Sequence, residues 1–316
     1  MRPLPNAFRS YGWAMSTAEA ARIAGLAPHE VLRFDGNTPP EPPAYANEAT
    51  IAAALAEIQR YPHGGFPTLL DAIAEYAQVE TERIVLGAGA DDLLLLCGRA
   101  FAGPGDVVRV LDEPTYPVFR LAAWLAGAEV GDEGAVVTYC CRPHNPTGAF
   151  GPLPEQRPLV VDEAYFEFAG ESAAGTPGVV AVRTFSKAFG LAAARVGYAV
   201  ADADVAQELV VRQDPLPITT LSAALALAAL RAGPPDVSPT ITERERLASR
   251  LRELGLEALA SHTNFVYVPM QDAGETYRRL LRRGLVVRPF DDAIRITVHA
   301  PHANDRLLDA LEQPDG

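Results

Sequence analysis

Three cysteines in 316 residues do not build a disulfide framework, and two of them, Cys140 and Cys141, are neighbours that rarely bridge. With Cys97 they point to a reducing, cytoplasmic setting. Long apolar runs are missing as well. The longest, residues 221–230, falls short of the ~20 residues that a membrane-spanning helix needs and reads as a buried helix. Positive charge is scarce: 27 Lys and Arg against 40 Asp and Glu leave a net charge of −13. That balance argues against nucleic acid and anionic membranes as partners. Small anionic substrates stay open, because a few arginines at contact range outweigh a distant field. No apolar run follows Met1-Arg2-Pro3-Leu4-Pro5-Asn6, so no secretory leader is expected. No internal repeat is visible. No metal is expected either, since His299 and His302 flank Pro301 without a cysteine or an acidic cluster at ligand spacing.

What is present is a chain 48% hydrophobic, enough for a large core and one or two domains. Residues 1–45 read as an arm with one short helix, 17–24. Its Pro39-Pro40-Glu41-Pro42-Pro43 cannot be helical. Residues 46–215 read as a large α/β domain. Asn47 caps a helix expected to reach Ile58, with Ile51, Leu55 and Ile58 on one face. A turn-rich loop from Arg60 to Gly65 and a helix opened by Pro67 follow. Short apolar strands at 84–86, 107–111, 135–140, 158–161, 179–183 and 196–200 then alternate with helices at 92–102 and 117–125. This pattern implies a mostly parallel sheet covered on both faces. Residues 216–316 read as an interdomain helix, 217–230, and a smaller α+β domain. There, strands 264–268, 285–287 and 294–298 interleave with helices 274–283 and 303–311. The long helix 240–254 carries Glu243-Arg244-Glu245-Arg246, expected as a solvated face.

The polar motifs fall where the strands end, the place at which parallel sheets bind ligands. Thr184-Phe185-Ser186-Lys187-Ala188-Phe189-Gly190 puts a lysine directly after a buried-looking strand, although its ammonium resists desolvation. It is either a surface lysine at a strand end or a lysine whose amine forms a Schiff base with a carbonyl cofactor. Gly87-x-Gly89-Ala90-Asp91 joins a strand to a helix start. It is either an ordinary tight turn or an anion site made of free amides and the positive end of a helix. Asp162 closes the strand Leu159-Val160-Val161, and a carboxylate buried there needs a partner. A helix start, a buried cation or a protonated pyridine nitrogen would each serve. Tyr165, three residues on, can point its phenol at the same ring. Asn145, in Asn-Pro-Thr-Gly, is a turn residue by default, and its amide can also donate to a ring hydroxyl. Tyr116, at a helix start, either packs in the core or stacks on a planar ring. Arg195 and the hydroxyls of Thr184 and Ser186 can hold a phosphate.

In this order, Asn145-Pro146-Thr147-Gly148, Asp162-x-x-Tyr165 and Ser186-Lys187-x-Phe189-Gly190-Leu191-x-x-x-Arg195-x-Gly197-Tyr198 resemble the fold-type I pyridoxal-phosphate aminotransferases. Within them the chain is most similar to the histidinol-phosphate aminotransferase branch. Arg60-Tyr61-Pro62, Gly89-Ala90-Asp91-Asp92, Pro114-Thr115-Tyr116 and Arg295-Ile296-Thr297-Val298 extend the resemblance, which runs from near Phe8 to the C-terminus. It implies pyridoxal 5′-phosphate as cofactor and Lys187, Asp162 and Tyr116 as catalytic residues. Lys187 anchors the cofactor covalently and later shuttles a proton. Asp162 pairs with the pyridinium nitrogen, Asn145 and Tyr165 bond the ring oxygen, and Tyr116 stacks on the ring. The amides of Ala90 and Asp91, with Thr184, Ser186 and Arg195, hold the phosphate. Tyr61 reaches the phosphate in the partner subunit, which implies a homodimer. Arg295 clamps the acidic group of the substrate, Arg288 assists it, and Tyr11 and Asn37 sit where the arm closes the site.

Some positions depart from that family. The chain is shorter than usual, with brief connections at 128–136 and 151–158. His144 stands where asparagine is usual, and Thr38 follows Asn37 where an acidic residue is usual. These changes bear on the substrate more than on the cofactor. The resemblance implies ping-pong transfer of an amino group between an amino donor, first of all L-histidinol phosphate, and a 2-oxo acid, 2-oxoglutarate. An aromatic or other amino-acid aminotransferase is an alternative, because Arg295 can bind phosphate or carboxylate equally. So is a lyase on the same cofactor, such as a threonine-phosphate-type decarboxylase. A non-catalytic regulatory protein fits poorly with the intact lysine.

Overall fold

Strands that are apolar along their whole length dictate the architecture. Ile84-Val85-Leu86, Leu159-Val160-Val161 and Val179-Val180-Ala181-Val182 show no polar alternation, so each needs cover on two sides. A computed structural model describes residues 14–62 and 64–313. In chain order its elements begin with α1 (Thr17–Ala24), β1 (Leu32–Phe34), α2 (Glu48–Leu55), α3 (Pro67–Ala77), β2 (Ile84–Gly87), α4 (Ala90–Phe101) and β3 (Val107–Val110). Next come α5 (Val118–Ala126), β4 (Glu129–Val130), β5 (Ala135–Cys141), β6 (Leu159–Asp162), α6 (Phe166–Ala169), β7 (Val179–Thr184) and β8 (Gly197–Val200). The remainder are α7 (Ala203–Arg212), α8 (Thr220–Arg231), α9 (Ser238–Glu253), β9 (Phe265–Pro269), α10 (Ala273–Arg282), β10 (Leu285–Pro289), β11 (Ala293–Thr297) and α11 (Pro301–Glu312).

The chain divides into two compact units, and the first comprises Glu41–His144 and Gly151–Pro235. Its seven-stranded sheet has the order β2-β8-β7-β6-β5-β3-β4. Neighbours pair in parallel except at β8, which is antiparallel to both β2 and β7. One face packs Val85, Val160, Val182 and Tyr139 against Leu93 and Leu94 of α4 and Phe119 of α5. On the other face, Ile84, Leu86 and Tyr198 meet Ile73 of α3 and Ala226 of α8. Helix α8, read from the sequence as an interdomain helix at the head of residues 216–316, packs in this unit. Its small buried residues, Ala223, Ala226 and Ala229, allow that close approach.

The pairing directions bring the carboxyl ends of β2, β5, β6 and β7 to one edge of this sheet. Gly87, Gly197 and Thr184 stand in one row there, and Cys141, Asp162 and Val182 in another. Gly197 is required in its row. A Cβ there would lie 2.6 Å from the Arg183 carbonyl oxygen and 3.1–3.2 Å from the backbone of Gly89 and Ala90. Only glycine lets the turn after β2 rest on β8.

The second unit comprises residues 14–40, Asn145–Phe150 and residues 236–313. Its sheet has the order β1-β10-β11-β9, with β1 parallel to β10 and the other pairs antiparallel. Strand β1 was not expected, because three residues are too few to show a period. Its Phe34 enters a core with Leu247, Val287, Ile294, Ile296 and Leu307.

The acid–base run of α9 is not a solvated face as expected: Glu243 and Arg244 are buried. Glu243 accepts from Arg246 and, at 2.7 Å, from Asn304 of α11, while Arg244 Nη1 donates to the Thr263 carbonyl at 2.8 Å. These partners are remote in sequence, which is why the charge pattern misled. Helix α2 stops at Leu55 rather than Ile58, and Ile51, Leu55 and Ile58 are exposed. No helix among the described residues is long and apolar enough to cross a membrane. Cys97, Cys140 and Cys141 are buried and form no disulfide, and burial pushes the thiols of Cys97 and Cys140 up to about 12.

Candidate active site

The edge where β2, β5, β6 and β7 end collects most of the residues singled out in the sequence. Ala90 and Asp91 open α4, whose first-turn amides have no acceptor within the helix. The preceding Gly89 has φ 87, a conformation that glycine adopts without cost. A Cβ on it would stand 2.7 Å from Arg195 Nη2, so the guanidinium lies directly over the turn. Asp92 caps the turn by accepting from the Ala88 amide at 3.0 Å. Thr184, the last residue of β7, donates through Oγ1 to Ser186 Oγ at 2.8 Å, and both hydroxyls are buried. This half of the site therefore offers helix amides, two hydroxyls and an arginine, a donor set suited to a phosphate.

Lys187 stands on a closed turn. Ser186 N donates to Thr184 Oγ1 at 3.1 Å, Gly190 N to the Lys187 carbonyl at 3.0 Å and Leu191 N to the Phe185 carbonyl at 2.8 Å. Phe185 and Phe189 hold this turn in the core, their ring centroids 4.9 Å apart. Lys187 is half-buried, and its Nζ lies 5.8 Å from the centroid of the Tyr165 ring. Tyr165 is buried between Asp162 and α6.

Asp162 is 3% exposed. Its Oδ1 accepts from the Ala164 amide at 3.0 Å, and the Cys141 thiol lies 3.8 Å from Oδ2. Burial raises its carboxyl from the ordinary carboxylate range to about 7, and the charge of Asp91 adds to the rise. The Ala164 amide, Lys187 and Cys141 oppose it. Tyr116 precedes α5, and its hydroxyl donates to Asp91 Oδ1 at 2.7 Å. His144 Nε2 is 2.9 Å from the Asp112 carbonyl, and burial lowers its pKa, which favours the neutral ring.

The second unit holds the other candidates. Arg295 on β11 is 8% exposed and donates to Asn145 Oδ1 at 2.5 Å and to the Asp35 carbonyl at 3.2 Å. Its guanidinium lies 5.1 Å from the Phe265 ring centroid. Arg288 is its cross-strand partner on β10 and is exposed. Asn37, buried with φ 51, is pinned by Thr297 and Asn264: its amide donates to Thr297 Oγ1 at 2.9 Å, and its carbonyl accepts from Asn264 Nδ2 at 3.0 Å. The Asn145–Pro146 bond is cis. Tyr61, in the first unit, is 75% exposed. Tyr11 lies outside the described residues.

The sequence reading missed one cluster behind Asp162. Glu163 faces away from it and pairs with Arg183 at 2.9 Å, both buried. Glu163 also accepts from Ser172 at 2.7 Å and from the Ala173 amide at 2.5 Å, and Arg183 Cζ lies 3.8 Å from the Phe166 ring centroid. The only hint was an acid just past one apolar strand and a base near the end of the next. Among the described residues no group of His, Cys, Asp and Glu could hold a metal.

The sequence matches the aminotransferase class I and II family over residues 29–132 and 131–311. It is 33% identical to a histidinol-phosphate aminotransferase of Staphylococcus haemolyticus, over 86% of this chain and 88% of that protein. It is 32% identical to the one of Symbiobacterium thermophilum, over 93% and 92%. Among solved structures, histidinol-phosphate aminotransferase from Sinorhizobium meliloti in complex with pyridoxal-5′-phosphate is similar with a TM-score of 0.81 and 26% identity. The likeness covers 97% of this chain and 98% of that one. L-threonine-O-3-phosphate decarboxylase from Porphyromonas gingivalis shares the fold with a TM-score of 0.73 at 21% identity, over 89% and 98%.

The residues present fit such a cofactor. A buried carboxylate titrating near 7 gains from a cationic ring nitrogen, the glycine turn and Arg195 suit a phosphate, and Lys187 supplies an amine. The chain belongs to the class I and II aminotransferases and is a pyridoxal-phosphate-dependent enzyme of fold type I.

Proposed function

We propose that this aminotransferase moves an amino group from L-histidinol phosphate to 2-oxoglutarate. The observation that carries the reading is the match, along most of the chain, to proteins named histidinol-phosphate aminotransferases. Pyridoxal phosphate supplies the electron sink that makes the carbon bearing the substrate's amino group acidic. The carboxylate of Asp162 holds the proton on the ring nitrogen. Asn145 and Tyr165 donate to the ring oxygen, and Tyr116 covers the ring. The amides of Ala90 and Asp91, the hydroxyls of Thr184 and Ser186, and Arg195 take the phosphate. Lys187 Nζ would be the covalent attachment point and, once free, would take the proton from the substrate's amino-bearing carbon and pass it to the cofactor, the direction reversing in the second half-reaction. Arg295 takes the acidic group of each substrate in turn, with Arg288 beside it; a guanidinium accepts phosphate or carboxylate in the same fork. Asn37 and Tyr11 belong to the segment that closes over the substrate.

A homodimer in which Tyr61 reaches the partner's phosphate site belongs to the same reading. The exposure of Tyr61 and of the apolar Ile51, Leu55 and Ile58 along and just beyond α2 supports it. A cytoplasmic enzyme without nucleic acid or membrane partners fits the acidic chain and its three buried cysteines outside any disulfide. A panel of amino donors with 2-oxoglutarate tests the function. Histidinol phosphate should show the highest kcat/KM, with glutamate and the matching oxo compound formed in equal amounts. A preferred aromatic amino acid, or carbon dioxide released without a new oxo compound, would overturn the reading. Sedimentation of the holoenzyme as a monomer would remove the crossing of Tyr61.

A further inference from the structure

Asp91 entered the site through its backbone amide, but its side chain does something more specific. Oδ1 accepts the Tyr116 hydroxyl at 2.7 Å, and Oδ2 faces Arg195 Nη2 at 3.2 Å. These three side chains come from the first turn of α4, the segment before α5 and the segment before β8. Each outer member is also held elsewhere. The Tyr116 ring meets Phe119 edge-on at 6.0 Å, Arg195 Nη1 donates to the Ala192 carbonyl at 3.0 Å, and the Arg195 backbone is left-handed at φ 49. Helix capping does not explain the carboxylate of Asp91, because Asp92 already caps the turn through the Ala88 amide. Nor does attraction to the cofactor, because a carboxylate beside a phosphate site repels the phosphate.

We propose that Asp91 is a positioning residue whose carboxylate braces the Tyr116 ring and the Arg195 guanidinium at the spacing that the cofactor's ring and phosphate require. The inference rests on the assignment of Tyr116 and Arg195 to the cofactor. Its physical basis is preorganisation: two long side chains ordered before binding lose less entropy when the cofactor arrives. The two effects of the carboxylate have opposite signs. As a bare charge, Asp91 weakens phosphate binding; as a brace, it strengthens it.

Titration of the apoprotein with pyridoxal phosphate and with pyridoxal, read by fluorescence quenching, separates these effects. Asp91→Ala should weaken pyridoxal phosphate about tenfold, the scale of a lost hydrogen bond to a charged group. Tyr116→Phe keeps the ring and loses the braced hydroxyl, so it should weaken both ligands by a smaller factor. The double variant should fall short of the product of the two losses. Asp91→Asn can still accept the Tyr116 hydroxyl but no longer pairs with Arg195, and should lose affinity for pyridoxal phosphate while leaving pyridoxal nearly unchanged. Pyridoxal phosphate bound as tightly as in the wild type, or more tightly, by Asp91→Ala and Asp91→Asn would overturn the brace. Arg195→Ala tests the underlying assignment separately. It should reduce affinity for pyridoxal phosphate but not for pyridoxal; equal effects on the two would remove Arg195 from the phosphate site itself. Circular dichroism of each apoprotein verifies folding, and Asp91→Asn with Tyr116→Phe decides the matter if Asp91→Ala does not fold.

Discussion

Asp162 should make the cofactor-free protein less stable as the pH rises, an effect that vanishes when the cofactor is bound. Its carboxyl titrates near 7 in the folded chain and near 3.8 in the unfolded one, chiefly because burial disfavours the charge. Below the lower value both states hold the proton and nothing is lost. Between the two, the unfolded chain releases its proton first, so folding weakens as the pH climbs, and the loss is complete above about 7. The separation corresponds to about 4 kcal/mol at ~1.36 kcal/mol per pH unit. Asp162→Asn removes the charge and keeps an oxygen for the Ala164 amide. Urea unfolding of the two apoproteins should show the variant gaining on the wild type by roughly 2–3 kcal/mol between pH 5 and pH 8. Glu167, which burial raises to about 8, titrates in both proteins and cancels in the comparison. If the cofactor's cationic ring nitrogen partners Asp162 as proposed, the wild-type pH dependence should flatten once the cofactor is bound. The same substitution should sharply reduce cofactor affinity and turnover. A gap between the apoproteins that does not change with pH, or that closes as the pH rises, would refute the assignment.

Lys187→Ala should abolish the visible absorption band of the lysine-bound cofactor, and an unchanged band would show that another group holds it. Glu163→Ala leaves Arg183 buried without its carboxylate and should cost about 3–5 kcal/mol in urea unfolding. A loss below about 1 kcal/mol would mean that the pair behaves as an exposed one. Gly197→Ala drives a methyl into the Arg183 carbonyl and the turn backbone, neither of which is the far end of a flexible side chain. It should destabilise the protein by about 1–3 kcal/mol and loosen cofactor binding, and wild-type behaviour on both counts would contradict the close approach.

Much of the site was legible because its residues break local rules. Asp162 ends an apolar strand, Lys187 follows another, and the glycines at 87 and 89 sit where a strand must turn into a helix. Each is costly in an ordinary domain, so each signals a ligand. The bland parts were harder to read. Glu163 follows β6 and Arg183 lies on the adjacent β7, 20 residues apart in the chain, and nothing local announces the pair. The burial of Glu243 and Arg244 depends on Asn304 and Thr263, and a charge run carries no record of such partners. Helix α8 looked like a bridge between domains because its apolar surface names no neighbour.

By itself, the sequence determined most strands and helices, though not β1, β4, α6 or α7, together with the mostly parallel sheet and the chemistry of the cofactor. Those depend on periodicity and on residues whose cost is local. Only the tertiary structure decided that β8 runs against its neighbours and that Asp91 lies between Tyr116 and Arg195, with Glu163 turned away from Asp162 toward Arg183. These depend on which distant segments meet, and contacts between segments far apart in the chain leave no periodic trace within either one.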